Sequence, residues 1–442
     1  MARAFSGLLY VAGREMSNQE LTIHFFLQFT VIVIVCRLVG WAARRMGQAQ
    51  VVGEMIAGVL LGPSLFGAVL PEWSEYLFPR NLPASAGSEG WVAHPSMSIL
   101  FVVSQLGLAL YMFVVGLEFN VSLLLERGKA ALWVSSAGIL FPFVLGVAVT
   151  PVLLGTPGVF FPKDISFGTG ALYVGAAMSI TAFPMLARIL YEHKIAATRT
   201  GTLTLAAGAM NDALAWGLLA VVLAASQNDY RVAVIALVGG AVFVAGSFGL
   251  ARPILALLEE RTRRLNELRH STLAAALAYM LLACWITELI GLYAVFGAFL
   301  AGACMPRGRV ANELKARIET LCSVMLLPLF FTFSGLNTQI GLLNTPYLAL
   351  IAVLLCALAI LGKGLGCALA ARMSGESWQS SATIGTLMNA RGLMELIILN
   401  IGLQQGIITG ELFTTLVLMA LFTTLMTSPL FRAFNRSGQE VA

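Results

Sequence analysis

Charged side chains make up only 11% of the 442 residues, against 58% hydrophobic ones. So little charge cannot cover the surface of a soluble domain, and with a mean hydropathy of +0.86 the composition is that of a polytopic membrane protein. Cysteine is sparse as well. The six residues Cys36, Cys284, Cys304, Cys322, Cys356 and Cys367 all fall in apolar stretches and form no CxxC pair, so they read as small buried hydrophobes without disulfides or metal. The four histidines, His24, His94, His193 and His270, stand at or beyond the ends of apolar runs and share no ligand spacing with cysteine or carboxylate. No Ser/His/Asp set, Gly-rich phosphate loop or nucleotide fingerprint lies in a loop long enough to make a soluble active site. The expectation is therefore a non-enzyme with no cofactor and no nucleic-acid partner, working in the lipid bilayer.

What is abundant is long apolar runs. Spans are predicted at 20–44, 51–70, 95–119, 130–154, 165–191, 201–226, 232–250, 272–291, 293–305, 318–336, 346–372, 378–404 and 412–434, thirteen in all. Basic residues test the alternation of loops. The segments after odd-numbered spans, counted with Arg44, Arg188, Arg372 and Arg432 towards the ends of those spans, carry 19 Lys and Arg; the N-terminal segment and those after even-numbered spans carry 5. That bias places the N-terminus outside and the C-terminus in the cytoplasm of a bacterial-type inner membrane. Residues 1–19 hold an apolar patch too short to span and are expected to be an extracytoplasmic leader; residues 435–442 form a short cytoplasmic tail.

Spans 3 and 10 share a pattern, Leu110 to Glu118 with Leu123-Leu124 against Leu329 to Asn337 with Leu342-Leu343. Spans 5 and 12 line up at a similar offset. Repeats seven spans apart insert with opposite orientation, so the organisation expected is a first inverted six-span repeat over 20–227, a linking helix and basic connector over 228–270, and a second repeat over 271–434.

One carboxylate stands out. Between residues 200 and 228 the only charged residue is Asp212. An ionised Asp in mid-bilayer costs about 2.5 to 3.5 kcal/mol on insertion scales, so it points to a site facing protein or water. Asn211 sets an amide beside it, and Gly208, one turn back, leaves room for a neighbouring helix. In span 5, Ser179 and Thr181 precede Pro184, which lacks an N–H and clashes with the carbonyl of residue 180, freeing backbone oxygens for a cation. Span 12 carries Asn389-Ala-Arg391-Gly392 at the matching depth. Two broken helices crossing at the midplane expose polar backbone, and Arg391 can compensate the half-helix ends. Arg391 and Glu395 share a helix face as an ion pair, structural or functional. Lys363 lies in span 11, nine residues or about 13 Å from Arg372, and could partly snorkel. Glu54, Glu118 and Glu288 lie near span ends, where solvation suffices; Glu118 and Lys363 remain accessory candidates. Arg37 is expected to snorkel towards Arg44 and Arg45. Gly53, Gly58, Gly62 and Pro63 read as a close-packing surface, open to dimerisation.

Taken together, Val52-Gly-Glu-Met-Ile-Ala-Gly-Val-Leu-Leu-Gly-Pro-Ser64, Ser179-Ile-Thr-Ala-Phe-Pro-Met-Leu-Ala-Arg-Ile-Leu190, Asn211-Asp212, Pro328-Leu-Phe-Phe-Thr-Phe-Ser-Gly-Leu336 and Leu387-Met-Asn-Ala-Arg-Gly-Leu-Met-Glu-Leu396 resemble the monovalent cation:proton antiporter-2 family, above all bacterial Kef-type antiporters and plant cation/H+ exchangers. The resemblance covers about residues 20–434. It implies the all-α antiporter fold of thirteen spans, with a dimer domain and a core domain and hence a homodimer. It also implies that Asp212 binds a monovalent cation and a proton in turn, with Asn211, Ser179, Thr181 and the span-12 break completing the site. Two departures stand against the family pattern. Electrogenic sodium/proton relatives carry two adjacent Asp and a Lys on the span matching span 10; here Asn211 replaces the first Asp, and no basic residue lies between Ser323 and Leu336. Kef-type and plant members add a large cytoplasmic domain, so gating through one is not expected here.

The function these residues predict is competition at one carboxylate. Asp212 trades its proton for dehydrated Na+ or K+, and the empty charged site crosses the apolar barrier poorly, which couples the two fluxes electroneutrally. A channel or membrane sensor on the same scaffold, and a cation-coupled symporter of an organic anion, are the alternatives.

Overall fold

The computed structural model describes residues 17–48, 50–79, 81–83, 91–119, 128–192, 195, 198–227, 230–265 and 267–434. The expected tail, the leader up to residue 16, Leu123, Leu124 and His193 lie outside the described residues. Nine helices are long and apolar enough to cross a membrane among those described, and the chain is a multi-pass membrane protein. The other four predicted spans are also helical. One is the 29-residue helix carrying Asp212, one is only 11 residues long (Ala294–Cys304), and two are interrupted in the middle. Among the described residues, a short antiparallel ribbon, Asn81–Pro83 on Trp91–Ala93, departs from the all-α pattern.

The chain divides into two compact units, residues 1–111 with 319–341 and residues 112–318 with 342–442. The first contains α1 (Asn18–Arg45), α2 (Gln50–Leu61), the short α3 (Phe66–Val69) and α4 (Pro71–Leu77), and the start of α5 (Pro95–Glu118). Ser17 and Glu20 close a capping box at the head of α1, and Arg44 and Arg45 sit in its last turn, both favourable to the helix dipole. Glycine sets the spacing here. A Cβ on Gly53 would stand 2.6 Å from the Gly40 Cα, and one on Gly62 would stand 2.7 Å from the Gly335 oxygen. The glycine face of α2 is thus filled by this chain's own helices, among them Leu327–Leu336. Two sequence expectations fail in this unit. Arg37 does not snorkel: it donates to the Ser323 carbonyl at 3.2 Å and lies 4.0 Å from Glu54. Glu54 is buried, not solvated, and accepts from the Gln50 amide at 2.7 Å. The partner carbonyl lies in a π-turn, Cys322–Leu326, where widened backbone leaves an oxygen to accept from the half-buried Arg37. His24 and His94, far apart in sequence, meet with ring centroids 6.1 Å apart.

In the second unit, α6 (Gly128–Leu154) packs on α7 (Phe167–Ser179) and on α9 (Arg199–Gln227). Between them runs α8 (Phe183–Glu192). The connector follows as α10 (Tyr230–Gly246), a π-turn and α11 (Arg252–Leu265). Then come α12 (His270–Leu289), α13 (Ala294–Cys304) and α14 (Arg309–Leu321). Glu288 is not idle at its span end; its carboxylate accepts the Ala294 N–H at 2.7 Å and so caps α13. After α15 (Leu327–Leu336) of the first unit, the chain re-enters the second as α16 (Pro346–Ile360), the π-turn Leu361–Leu365 and α17 (Gly366–Met373). It ends with α18 (Trp378–Met388), α19 (Leu393–Gln404) and α20 (Gly410–Phe434).

Two interruptions organise this unit. The span predicted at 165–191 stops at Ser179 and restarts at Phe183, just before Pro184, whose missing N–H and clash with residue 180 forbid continuous helix. The span predicted at 378–404 stops at Met388 and restarts at Leu393. The breaks touch, because the Ala182 N–H donates to the Ala390 carbonyl at 3.1 Å. Close approach of small residues allows this: a Cβ on Gly146 would lie 2.7 Å from the Gly175 Cα, holding α6 against α7.

Candidate functional site

Helices that stop in mid-bilayer leave carbonyls without partners at one end and N–H groups at the other, with a partial charge of about half an electron at each. The crossed breaks gather four such ends, and buried polar side chains answer them. At the C-terminal end of α7, the Arg391 guanidinium donates to the Ala177 carbonyl at 3.1 Å and to the Met178 carbonyl at 2.6 Å. Lys363 donates from Nζ to the next carbonyl, Ser179. Three consecutive carbonyls are therefore capped by two basic side chains, and both are fully buried.

At the opposite side of this break the polarity reverses. The Thr181 N–H donates to Asn211 Oδ1 at 3.0 Å, and the Phe183 N–H donates to Asp212 Oδ1 at 3.5 Å. Asp212 and Asn211 lie in the middle of α9, where Gly208 faces Leu186 so closely that a Cβ would stand 2.5 Å from the Leu186 Cδ2. That contact brings the carboxylate to the N-terminal end of α8, the end that favours negative charge. Asp212 is 3% exposed. Its second oxygen, Oδ2, has no hydrogen-bond partner among the described residues, and neither has the Asn211 Nδ2.

The second break carries charges of its own. Arg391 lies within it, 3.2 Å from Glu395 in the first turn of α19, both with no exposed surface. Glu395 thus stands at a helix N-terminus and Arg391 reaches across to a helix C-terminus, each at its favourable pole. Asn389 donates to the Gly385 carbonyl at 3.1 Å, and its Nδ2 lies where a Cβ on Gly364 would come within 2.8 Å.

The structure brings together Asp212, Asn211, Thr181, Ser179, Asn389, Arg391, Glu395 and Lys363. Ser179 participates through its carbonyl; its hydroxyl is occupied by the Gly175 and Ile139 carbonyls at 2.7 and 2.9 Å. Thr181 Oγ1 reaches the Met388 carbonyl at 3.5 Å. Lys363 corrects the snorkelling expectation. The π-turn at Leu361–Leu365 turns it inward, and Gly362 and Gly364 on either side clear the approach to Pro142 and Asn389. Span 11 thus supplies the buried lysine sought without success on span 10. Glu118 is not part of the cluster: its carboxylate pairs with Lys315, and among the described residues no hydrogen bond or ion pair joins it to Asp212. Sequence reasoning missed the carbonyls of Ala177 and Met178 and the hydroxyl of Thr424, which bonds the backbone of the second break. Gly362-Lys-Gly364, a lysine between two glycines in an apolar span, was the signal available for Lys363.

Comparison with known proteins gives this arrangement its context. A family model described as "Sodium/hydrogen exchanger, transmembrane" matches residues 30–433. The chain is 39% identical over 402 residues to the Na+/H+ antiporter NhaS4 of Synechocystis sp., covering 90% of this chain and 94% of that protein. It is 34% identical to Cation/H+ antiporter 18 of Arabidopsis thaliana, over 93% of this chain and 49% of that one, so it spans about half of that relative's length. K+/H+ antiporter 1 of Saccharomyces cerevisiae is 32% identical over 97% of this chain and 48% of its own. Among solved structures, the sodium proton antiporter MjNhaP1 of Methanocaldococcus jannaschii superposes with a TM-score of 0.64 at 15% identity, covering 94% of this chain and 97% of that one, a likeness of fold.

Proposed function

The chain belongs to the sodium/hydrogen exchanger family, and from that premise we propose that it is a secondary antiporter exchanging Na+ or K+ for protons at Asp212, without covalent chemistry or a cofactor. The observation that carries this reading is the Asp212 carboxylate, buried in mid-helix with Oδ2 unpartnered among the described residues. An unsatisfied charged oxygen in an apolar surround is costly. A proton or a dehydrated cation each removes that cost, so each competes for the same atom. Asn211 adjoins Asp212 on α9 and its Oδ1 holds the Thr181 N–H, so polar groups of the first break border the carboxylate and could replace water around a cation.

Electrostatics supports one-for-one exchange. Loading Asp212 with either H+ or a monovalent cation adds the same single charge to the site. The two loaded forms are then equivalent in the barrier, while the empty form exposes a bare carboxylate and crosses poorly. Arg391 and Lys363 serve in this scheme as fixed counter-charges for the α7 end.

Names of the relatives also support the reading: the Synechocystis, Arabidopsis and yeast proteins are called Na+/H+, cation/H+ and K+/H+ antiporters. The topology goes with it, N-terminus out and C-terminus in, in a plasma membrane of bacterial inner-membrane type, with two inverted repeats over 20–227 and 271–434 and a homodimeric assembly. A reporter fused after Phe434 tests the orientation, and activity on the outer side would overturn it.

The function itself is tested in proteoliposomes. Adding Na+ or K+ outside should release trapped protons, reported by a pH-sensitive dye, and the release should weaken as external pH falls and protons compete. A flux that persists without any monovalent cation, or is indifferent to it, would point to a channel.

A further inference from the structure

One hydroxyl from the last helix holds both backbone groups of Arg391. The Arg391 N–H donates to Thr424 Oγ1 at 3.0 Å, and Thr424 Oγ1 lies 2.8 Å from the Arg391 carbonyl and 2.7 Å from the Ala420 carbonyl of its own helix. Thr424 is 1% exposed. Its neighbours on α20 behave differently: Thr415, Thr423 and Thr427 donate to carbonyls of α20 itself, as threonines in membrane helices ordinarily do. Thr424 accepts from one backbone group of the break, while its single proton is shared between the break and its own helix.

The position of Arg391 matters because its guanidinium must cap the Ala177 and Met178 carbonyls, beside the carbonyl that Lys363 holds. Within the break, the Asn389 and Ala390 N–H groups turn back onto the Thr386 and Leu387 carbonyls, and the Ala390 carbonyl receives the Ala182 N–H. Arg391 is three residues past the end of α18, and its amide is taken up by a side chain instead.

We propose that Thr424 is a positioning residue for cation–proton exchange: its hydroxyl fixes the Arg391 backbone and so aims the guanidinium at the end of α7, which sets the field in which Asp212 binds its cation. The inference rests on the exchange reading for its transport consequence, but its structural half stands apart from it.

Thr424→Val keeps shape and removes the hydroxyl; Thr424→Ser keeps the hydroxyl. Hydrogen–deuterium exchange of the purified protein, resolved over residues 386–396, should show the Arg391 amide losing protection about tenfold in the Val variant and keeping it in the Ser variant, the scale of one buried hydrogen bond. In proteoliposomes the Val variant should need about tenfold more cation for half-maximal exchange, with a melting temperature in detergent equal to that of the wild type, and the Ser variant should restore the wild-type value. Thr424→Ala stands in if the Val variant fails to insert. Unchanged amide protection in Val or Ala overturns the proposal, as does a Ser variant as impaired as Val, which would make the methyl group the part that matters. If the wild type exchanges no cation, the function reading falls, while amide protection still decides the role of Thr424.

Discussion

The two helix breaks differ in how they meet their charge. The first, Ile180 to Ala182, has no ionisable side chain of its own and is served from outside: Arg391 and Lys363 cap its carbonyl end, and Asp212 faces its N–H end. The second, Asn389 to Gly392, carries Arg391 and is followed at once by Glu395, so its neighbourhood is internally paired. The lesson is one of division of labour. Both Glu395 oxygens, like Asp212 Oδ2, lack a hydrogen-bond partner among the described residues, but Glu395 has an arginine 3.2 Å away and so has less to gain from a proton or a cation than a carboxylate without an ion pair. Among the described residues Asp212 has a long contact to the Phe183 N–H, an Oδ2 without a hydrogen-bond partner and no ion pair, so of the two acids it has more to gain from a proton or a cation.

The hardest test of that contrast is to remove each acid in turn. Asp212→Asn is isosteric and cannot ionise; exchange in proteoliposomes should vanish while the protein inserts normally. Glu395→Gln should lower exchange without abolishing it, since Arg391 keeps its carbonyl partners. Equal loss in both variants would erase the distinction between the breaks.

Next come the two cations at the α7 end. Arg391→Ala removes two charge-assisted hydrogen bonds, each worth roughly 1.5 to 3 kcal/mol, so the exchange rate should fall about a hundredfold or more. Arg391→Lys should retain part of the rate, since one charge remains but the two-pronged grip is lost. Lys363→Met removes one such bond and should cost about tenfold. Near-normal turnover in Arg391→Ala would reduce that residue to a packing charge.

The smallest expected effect is that of voltage. If Lys363 stays tied to its carbonyl and Asp212 alone trades a proton for a cation, each cycle should move no net charge. A net charge would be worth about 2.3 kcal/mol per 100 mV, so the gradient ratio at which proton flux stops should stay fixed when the membrane potential is changed. Valinomycin clamping suits this only with Na+ as substrate. A null point that moves with voltage would show that a second group, such as Glu118, Glu395 or Lys363, shares the proton traffic.

How these residues could be read from sequence depends on whether their meaning is local. Span positions follow from hydropathy summed over about 20 residues, and each of the predicted spans coincides with a helix or a pair of half-helices. The break at residue 180 was legible because Pro184 acts on the backbone four residues before it. Asp212 and Arg391 were legible because a lone charge in lipid is costly wherever it points. Lys363 was not, since whether a lysine snorkels or turns inward depends on the π-turn at Leu361–Leu365 and on the carbonyl awaiting it. Arg37 was misread for the same reason. Glu118 was over-read, because a sequence does not reveal that Lys315 lies opposite it. Thr424 left no mark at all: one threonine among several on an apolar helix becomes informative only when the facing backbone is known.

Competition at Asp212 has a direct thermodynamic signature. Titrating the purified protein with NaCl or KCl by calorimetry, in buffers of differing ionisation enthalpy and with choline chloride as the ionic-strength control, counts protons released per cation bound. At a pH where the site is protonated, the wild type should release one proton per cation, and Asp212→Asn should neither bind nor release. Cation binding by the wild type without proton release, or release that survives in the Asn variant, would contradict exchange at this carboxylate.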